Sequence, residues 1–260
     1  MNKRAKFLFL TLIQALGFLL FVELPYDSRL YGVFTGLALT VFSTWYGLGL
    51  IYYSDWKSRL AAIILPIMWF FGLAMFISVL ELPWWWDIPI LLLFGGVNYT
   101  IYLIENVFMV AVGYKTVPLY RAAFTVSVVV TLFASFLVYD VIFSYRLGFW
   151  QNMLIFLAVT PFIFTYIVWS VLIELPDDGK DLPIMSYVLA SVWMMSQMAM
   201  VLSFWPTGVF KSSLYMVSFQ YILISLIQLT IRERLFKKSI MSLGWILVAV
   251  IISLIVTVSW

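Results

Sequence analysis

The chain has 260 residues, 65% of them apolar and 10% charged, with a formal net charge of +3 and neither Cys nor His. Such a composition excludes a soluble core and places most of the length in lipid. It also removes the usual zinc, haem and iron–sulfur ligands, the Ser-His-Asp and Cys-His nucleophiles and any disulfide, so no cofactor and no metal are expected.

Apolar runs long enough to cross about 30 Å of hydrocarbon predict nine helical spans. They cover Phe7–Val22, Leu30–Tyr53, Leu60–Leu80, Ile88–Val112, Ala122–Phe143, Met153–Ile173, Ile184–Phe204, Leu214–Ile231 and Ile240–Ser259. The first follows Lys3, Arg4 and Lys6 and runs into Glu23-Leu24-Pro25 without a cleavage signature, so it reads as an uncleaved span. Backbone groups in lipid must be satisfied internally, and the runs lack the alternation of a barrel. The expected fold is therefore an all-α, polytopic transmembrane helix bundle. Connections are short, so residues 1–260 read as a single integral membrane domain.

Basic residues orient these spans. With the N-terminus cytoplasmic, twelve of them face inward: Lys3, Arg4, Lys6, Lys57, Arg59, Lys115, Arg121, Lys180, Arg232, Arg234, Lys237 and Lys238. Only Arg29, Arg146 and Lys211 face outward. An odd number of spans then puts the C-terminus outside. Because the positive charges sit in short loops beside headgroups, they do not point to nucleic acid. Trp84-Trp85-Trp86 and Phe149-Trp150 fall at the outer boundaries, where amphipathic rings anchor a span.

Glu105 is the one acidic residue well inside a span, roughly 12 Å from its inner end at helical rise. Asn98, Tyr102, Glu105 and Met109 share one helix face, with Asn106 beside them and Gly95-Gly96 offering a close approach. An ionisable group at that depth belongs against protein or water. It either handles a proton or cation, or it is a neutral or Arg-paired carboxyl that joins helices. Arg121 is the nearest basic residue in sequence. Glu23, Glu81, Asp140 and Arg146, with Asp27 and Asp87, form an outer polar set that could attract cations; a solvated interface with a local Asp140–Arg146 pair is the plainer reading.

Glu-Leu-Pro recurs at Glu23, Glu81 and Glu174, and each reads first as a helix stop. Trp56-Lys57-Ser58-Arg59-Leu60 and Phe210-Lys211-Ser212-Ser213-Leu214 open the third and eighth spans similarly. Spans one to four and six to nine would then be inverted halves about the fifth, as in secondary transporters. Met194, Met195, Met198 and Met200 crowd the seventh span, where adaptable packing is expected over copper binding. In the eighth, Ser213 and Gln220 share one face, and Tyr221 and Gln228 another. The loop with Glu174, Asp177, Asp178 and Asp181 lacks calcium-loop spacing and reads as a solvated turn. Pro66 and Pro161 should kink their spans.

Three segments carry a family resemblance: Tyr99-Thr100-Ile101-Tyr102-Leu103-Ile104-Glu105-Asn106-Val107-Phe108, Val117-Pro118-Leu119-Tyr120-Arg121-Ala122-Ala123 and Tyr139-Asp140-Val141-Ile142-Phe143-Ser144-Tyr145-Arg146. This middle third resembles a family of multi-pass membrane proteins from candidate-phylum (Patescibacteria-type) bacteria that has no assigned activity. The resemblance implies a bacterial cytoplasmic membrane and marks Glu105, Asn106, Arg121, Asp140 and Arg146 as family-like polar positions.

These features lead to an expected transporter, or transporter subunit, for a small solute or ion, using the buried carboxylate. The alternative is a non-catalytic membrane scaffold or assembly partner. The lipid bilayer is the expected partner in both. The topology is directly testable: reporter fusions after Lys180 and after Trp260 should report cytoplasmic and external locations, and two fusions on the same side would overturn it.

Overall fold

The computed structural model describes residues 3–50, 55–80, 83–114, 117–175 and 183–256. Among them every regular element is helical. The nine long helices are α1 (Lys3–Val22), α2 (Arg29–Leu48), α3 (Trp56–Val79), α4 (Asp87–Gly113), α5 (Tyr120–Ser144), α6 (Phe149–Leu172), α7 (Ile184–Phe204), α8 (Val209–Ile231) and α9 (Lys237–Val256). Eight are long and apolar enough to cross a membrane. The chain is thus an all-α, multi-pass integral membrane protein. The exception is α2, whose buried residues are Gly32, Val33, Thr40, Ser43, Thr44, Gly47 and Leu48, so its inward face is nearly all small or polar.

Helix ends follow local chemistry. The second span was expected to reach Tyr53, but α2 stops at Leu48 because Gly49 takes a left-handed φ of 65°. Its amide then closes on the carbonyls of Trp45 and Tyr46, a glycine stop. Lys6 reaches over from α1, its ammonium donating to the Tyr46 carbonyl at 2.7 Å and lying 4.2 Å from the Tyr46 ring centroid. At the start of α3, Asp55 caps the helix by accepting from the amides of Lys57 and Ser58 at 3.1 and 3.3 Å. The Ser58 hydroxyl donates to the same carboxylate at 2.5 Å, and these bonds hold the Asp55 carboxyl below its usual range despite some burial. Trp84-Trp85-Trp86 forms one exposed 3₁₀ turn leading into α4. Both α3 and α6 continue through Pro66 and Pro161.

Contacts group the chain into two compact units, residues 1–138 and 139–260, with the division falling inside α5. In the first, α1, α2, α3 and α4 all pack against one another. Its centre is aromatic. Phe18 stacks on Phe94 with centroids 4.3 Å apart, Phe70 meets both rings edge-on, and the Trp69 indole donates to the Phe94 carbonyl at 3.3 Å. Glycines let the helices close around these rings: the Phe70 ring lies where a Cβ on Gly36 would be, and a Cβ on Gly72 would sit 3.0 Å from the Ala134 carbonyl oxygen.

In the second unit α6 and α7 form the most extensive helix pair, with α8 against both and α9 chiefly against α8. The Phe149 and Phe204 rings meet at a tilt with centroids 4.5 Å apart, and the Asn152 amide donates to the Ser203 hydroxyl at 2.9 Å. Glu174 and Arg232 join the C-terminal ends of α6 and α8 with an ion pair at 2.9 Å. The expected inverted halves would pair α4 with α9, yet the neighbours differ: α4 packs on α1, α2 and α3, whereas the α1–α4 contact has no counterpart of like extent between α6 and α9.

Gly36→Val should lower stability by about 1–3 kcal/mol, because the Phe70 ring is boxed in by Phe18, Phe21 and Phe94. Combined with Phe70→Ala it should cost less than the two changes summed, and thermal unfolding in detergent that shows strict additivity would refute this contact.

Candidate functional site

The face of α4 picked out in the sequence is the buried one. Asn98, Tyr102, Glu105 and Met109 are all buried, Glu105 fully so. Asn98 and Tyr102 find partners on α1 and α2. The Asn98 amide donates to the Gln14 carbonyl oxygen, and the Gln14 amide donates to the Ser43 hydroxyl, so three helices are joined through one side chain. The Ser43 hydroxyl in turn donates to the Leu39 carbonyl at 2.5 Å. The Tyr102 ring stacks on Phe7 with centroids 5.6 Å apart and lies over Gly47, where an added Cβ would meet its Cε1 at 3.0 Å. Thr11 of α1 borders Gly95 of α4, its methyl 3.9 Å from where a Cβ would stand.

The result is a polar cluster of Thr11, Gln14, Ser43, Thr44, Asn98, Tyr102 and Glu105 inside the first unit, every member buried. Three of its hydroxyls, on Thr11, Thr44 and Tyr102, have no hydrogen-bond partner among the described residues. The Tyr102 hydroxyl lies beside Ser43, Thr44 and Gln14 without an aligned bond to any of them. The Thr44 and Tyr102 hydroxyls are therefore polar neighbours of one another inside the cluster. Chemically the cluster offers one carboxyl group, two amides and four hydroxyls, a set suited to a proton, a monovalent cation or a small polar solute.

Arg121 is exposed on the first turn of α5, and Asn106 is half-buried because its position turns it off the inward face of α4. The α1 and α2 members were not singled out in the sequence. Gln14, alone in a run of apolar residues, and Thr40, Ser43 and Thr44, spaced three and four apart, were the available signal.

Glu23 and Arg146 are exposed, and Glu81 lies outside the described residues. Asp140 is half-buried and accepts from the Ser213 hydroxyl at 3.3 Å. It makes no ion pair with Arg146, which sits past the end of α5 in a left-handed conformation with φ 48°, so the local pairing read from the sequence does not form. Ser213 and Gln220 do share a buried face of α8, and Gln220 accepts from the Tyr139 hydroxyl at 2.6 Å. Met195 is buried while Met194 is exposed, so the methionines of α7 spread around the helix. Asp177, Asp178 and Asp181 lie outside the described residues.

No family model, curated protein or solved structure matches the chain. The central bridge has its own test. Gln14→Leu strands the Asn98 amide in an apolar interior and should cost about 1–3 kcal/mol in detergent unfolding. The double change Gln14→Leu, Asn98→Leu removes both partners and should be less damaging than Gln14→Leu alone; an equal or larger loss would show that the bridge does not join these helices.

Proposed function

We propose that the protein is a transporter, or a transporter subunit, for a small solute or ion, and that the polar cluster around Glu105 is its binding site in a closed state. The observation that carries this reading is the fully buried Glu105 on the same buried face of α4 as Asn98 and Tyr102, together with three buried hydroxyls that have no hydrogen-bond partner among the described residues. Intramembrane carboxylates concentrate on ion and proton paths because their burial is otherwise costly. The orientation with a cytoplasmic N-terminus and external C-terminus, supported by the bias of basic residues, turns the Glu105 end of the cluster inward. The resemblance of the Tyr99–Phe108, Val117–Ala123 and Tyr139–Arg146 segments supports a bacterial cytoplasmic membrane.

A second reading keeps a specific observation on its side. The polar face of α4 is closed over by α1, α2 and α3, as a scaffold or assembly partner would need.

Glu105→Gln separates the two, since it keeps the side chain's shape and imitates the neutral acid. For a transporter the variant should insert and melt as the parent does but lose pH-dependent flux in proteoliposomes, followed with an internal pH dye and a panel of labelled ions, sugars and amino acids. For a scaffold held by a charged carboxylate, stability should fall by about 3–5 kcal/mol with no flux in either protein. A variant unchanged in both melting and pH-linked behaviour would remove Glu105 from the site.

A further inference from the structure

The loosest element of the second unit is α9, where only Leu243 and Leu254 are buried. Two shallow, open surfaces border this helix. One is a groove between α8 and α9 lined by Ser225, Gln228, Lys238, Ser239, Leu243 and neighbours. The other is an exposed strip of α9 itself that includes Met241, Trp245 and Ala249. Lys238, Ser242 and Ile246 belong to both. These three are spaced four apart, so they form a single stripe with the groove on one flank and the exposed strip on the other.

The stripe grades from charge through hydroxyl to hydrocarbon within about two turns, roughly 12 Å. At its charged end, Arg234, Lys237 and Lys238 are exposed, with Glu233 the acidic residue among them. The remaining basic residue of that turn, Arg232, is engaged with Glu174. Ser225, Gln228, Ser239 and Ser242 make no side-chain hydrogen bond to the protein among the described residues. Polar side chains at the edge of the hydrocarbon need a partner that is itself polar, and here the local field selects a negative one.

We propose that this site binds one anionic phospholipid, its phosphate on Lys238 and the adjoining hydroxyls and its two acyl chains lying along the two flanks of α9. A phosphate with two chains accounts for an open groove and an exposed apolar strip that meet at one lysine. The excess of Arg234, Lys237 and Lys238 over Glu233 accounts for preference for a net negative headgroup over a zwitterionic one. The inference is independent of what, if anything, the Glu105 cluster carries.

Trp245 lines one flank and reports on it. In phosphatidylcholine nanodiscs doped with brominated-chain lipid, the quenching that disappears in Trp245→Phe should be several-fold stronger with brominated phosphatidylglycerol than with brominated phosphatidylcholine. Lys237→Gln combined with Lys238→Gln should bring the two lipids level, and soluble glycerol phosphate should not restore fluorescence. Native mass spectrometry of the intact chain and of the lysine variant, counting retained phosphatidylglycerol against phosphatidylcholine, gives the same comparison without altering Trp245. Equal quenching or retention of both lipids by the parent protein overturns the proposal, as does a preference that survives the lysine changes. Relief by soluble glycerol phosphate would reduce the site to one for free phosphate and overturn it as well.

Discussion

Hydrocarbon supplies no hydrogen bonds, and that scarcity orders this structure from the backbone to the side chains. Helices satisfy the main chain. Short hydroxyl side chains then satisfy themselves, bonding back to the carbonyl one turn earlier: Thr40 to Gly36 at 2.9 Å, Thr131 to Ser127 at 2.7 Å, Thr160 to Phe156 at 2.7 Å, Ser203 to Ala199 at 2.7 Å. Amides are too long and carry too many groups for that solution. Gln14, Asn98, Asn152 and Gln220 therefore turn to other helices, and each buried amide marks a place where helices are tied. Gln14 does the most, because it both accepts and donates and so joins α1 to α2 and α4 at once.

Around that tie the first unit is built from complementary sizes. The small face of α2 receives the large rings of its neighbours, Phe70 at Gly36 and Tyr102 at Gly47. The same economy explains why α2 falls below its companions in apolarity: a helix whose inward face is glycine, threonine and serine loses hydropathy without becoming more exposed to water. Tight approach and buried hydroxyls thus have one cause, and the polar cluster sits where α2 comes closest to α4.

Charges follow the opposite rule and gather at helix ends. Asp55 caps α3, Lys6 closes the end of α2, and Glu174 pairs with Arg232 where α6 and α8 finish. Glu105 departs from this pattern, since it is fully buried well inside α4. That contrast is what makes it the strongest candidate for function, while the weakly buried α9 shows the reverse case of a helix whose surroundings are lipid on most sides.

The all-α class, the approximate spans and the inward face of α4 were legible in residue order, because length, hydropathy and a 3.6-residue period act along the chain. Asn98, Tyr102 and Glu105 were placed on one face by spacing alone. Which residues of other helices meet that face was not legible: Gln14, Ser43 and Thr44 are distant in sequence, and only packing brings them to Asn98 and Tyr102. The same limit explains Asp140, whose sequence neighbour Arg146 turns away at a left-handed backbone position while Ser213, 73 residues on, approaches it. Periodicity describes one helix at a time; the partner of a buried polar group is chosen by how neighbouring helices fit, and that is decided in three dimensions.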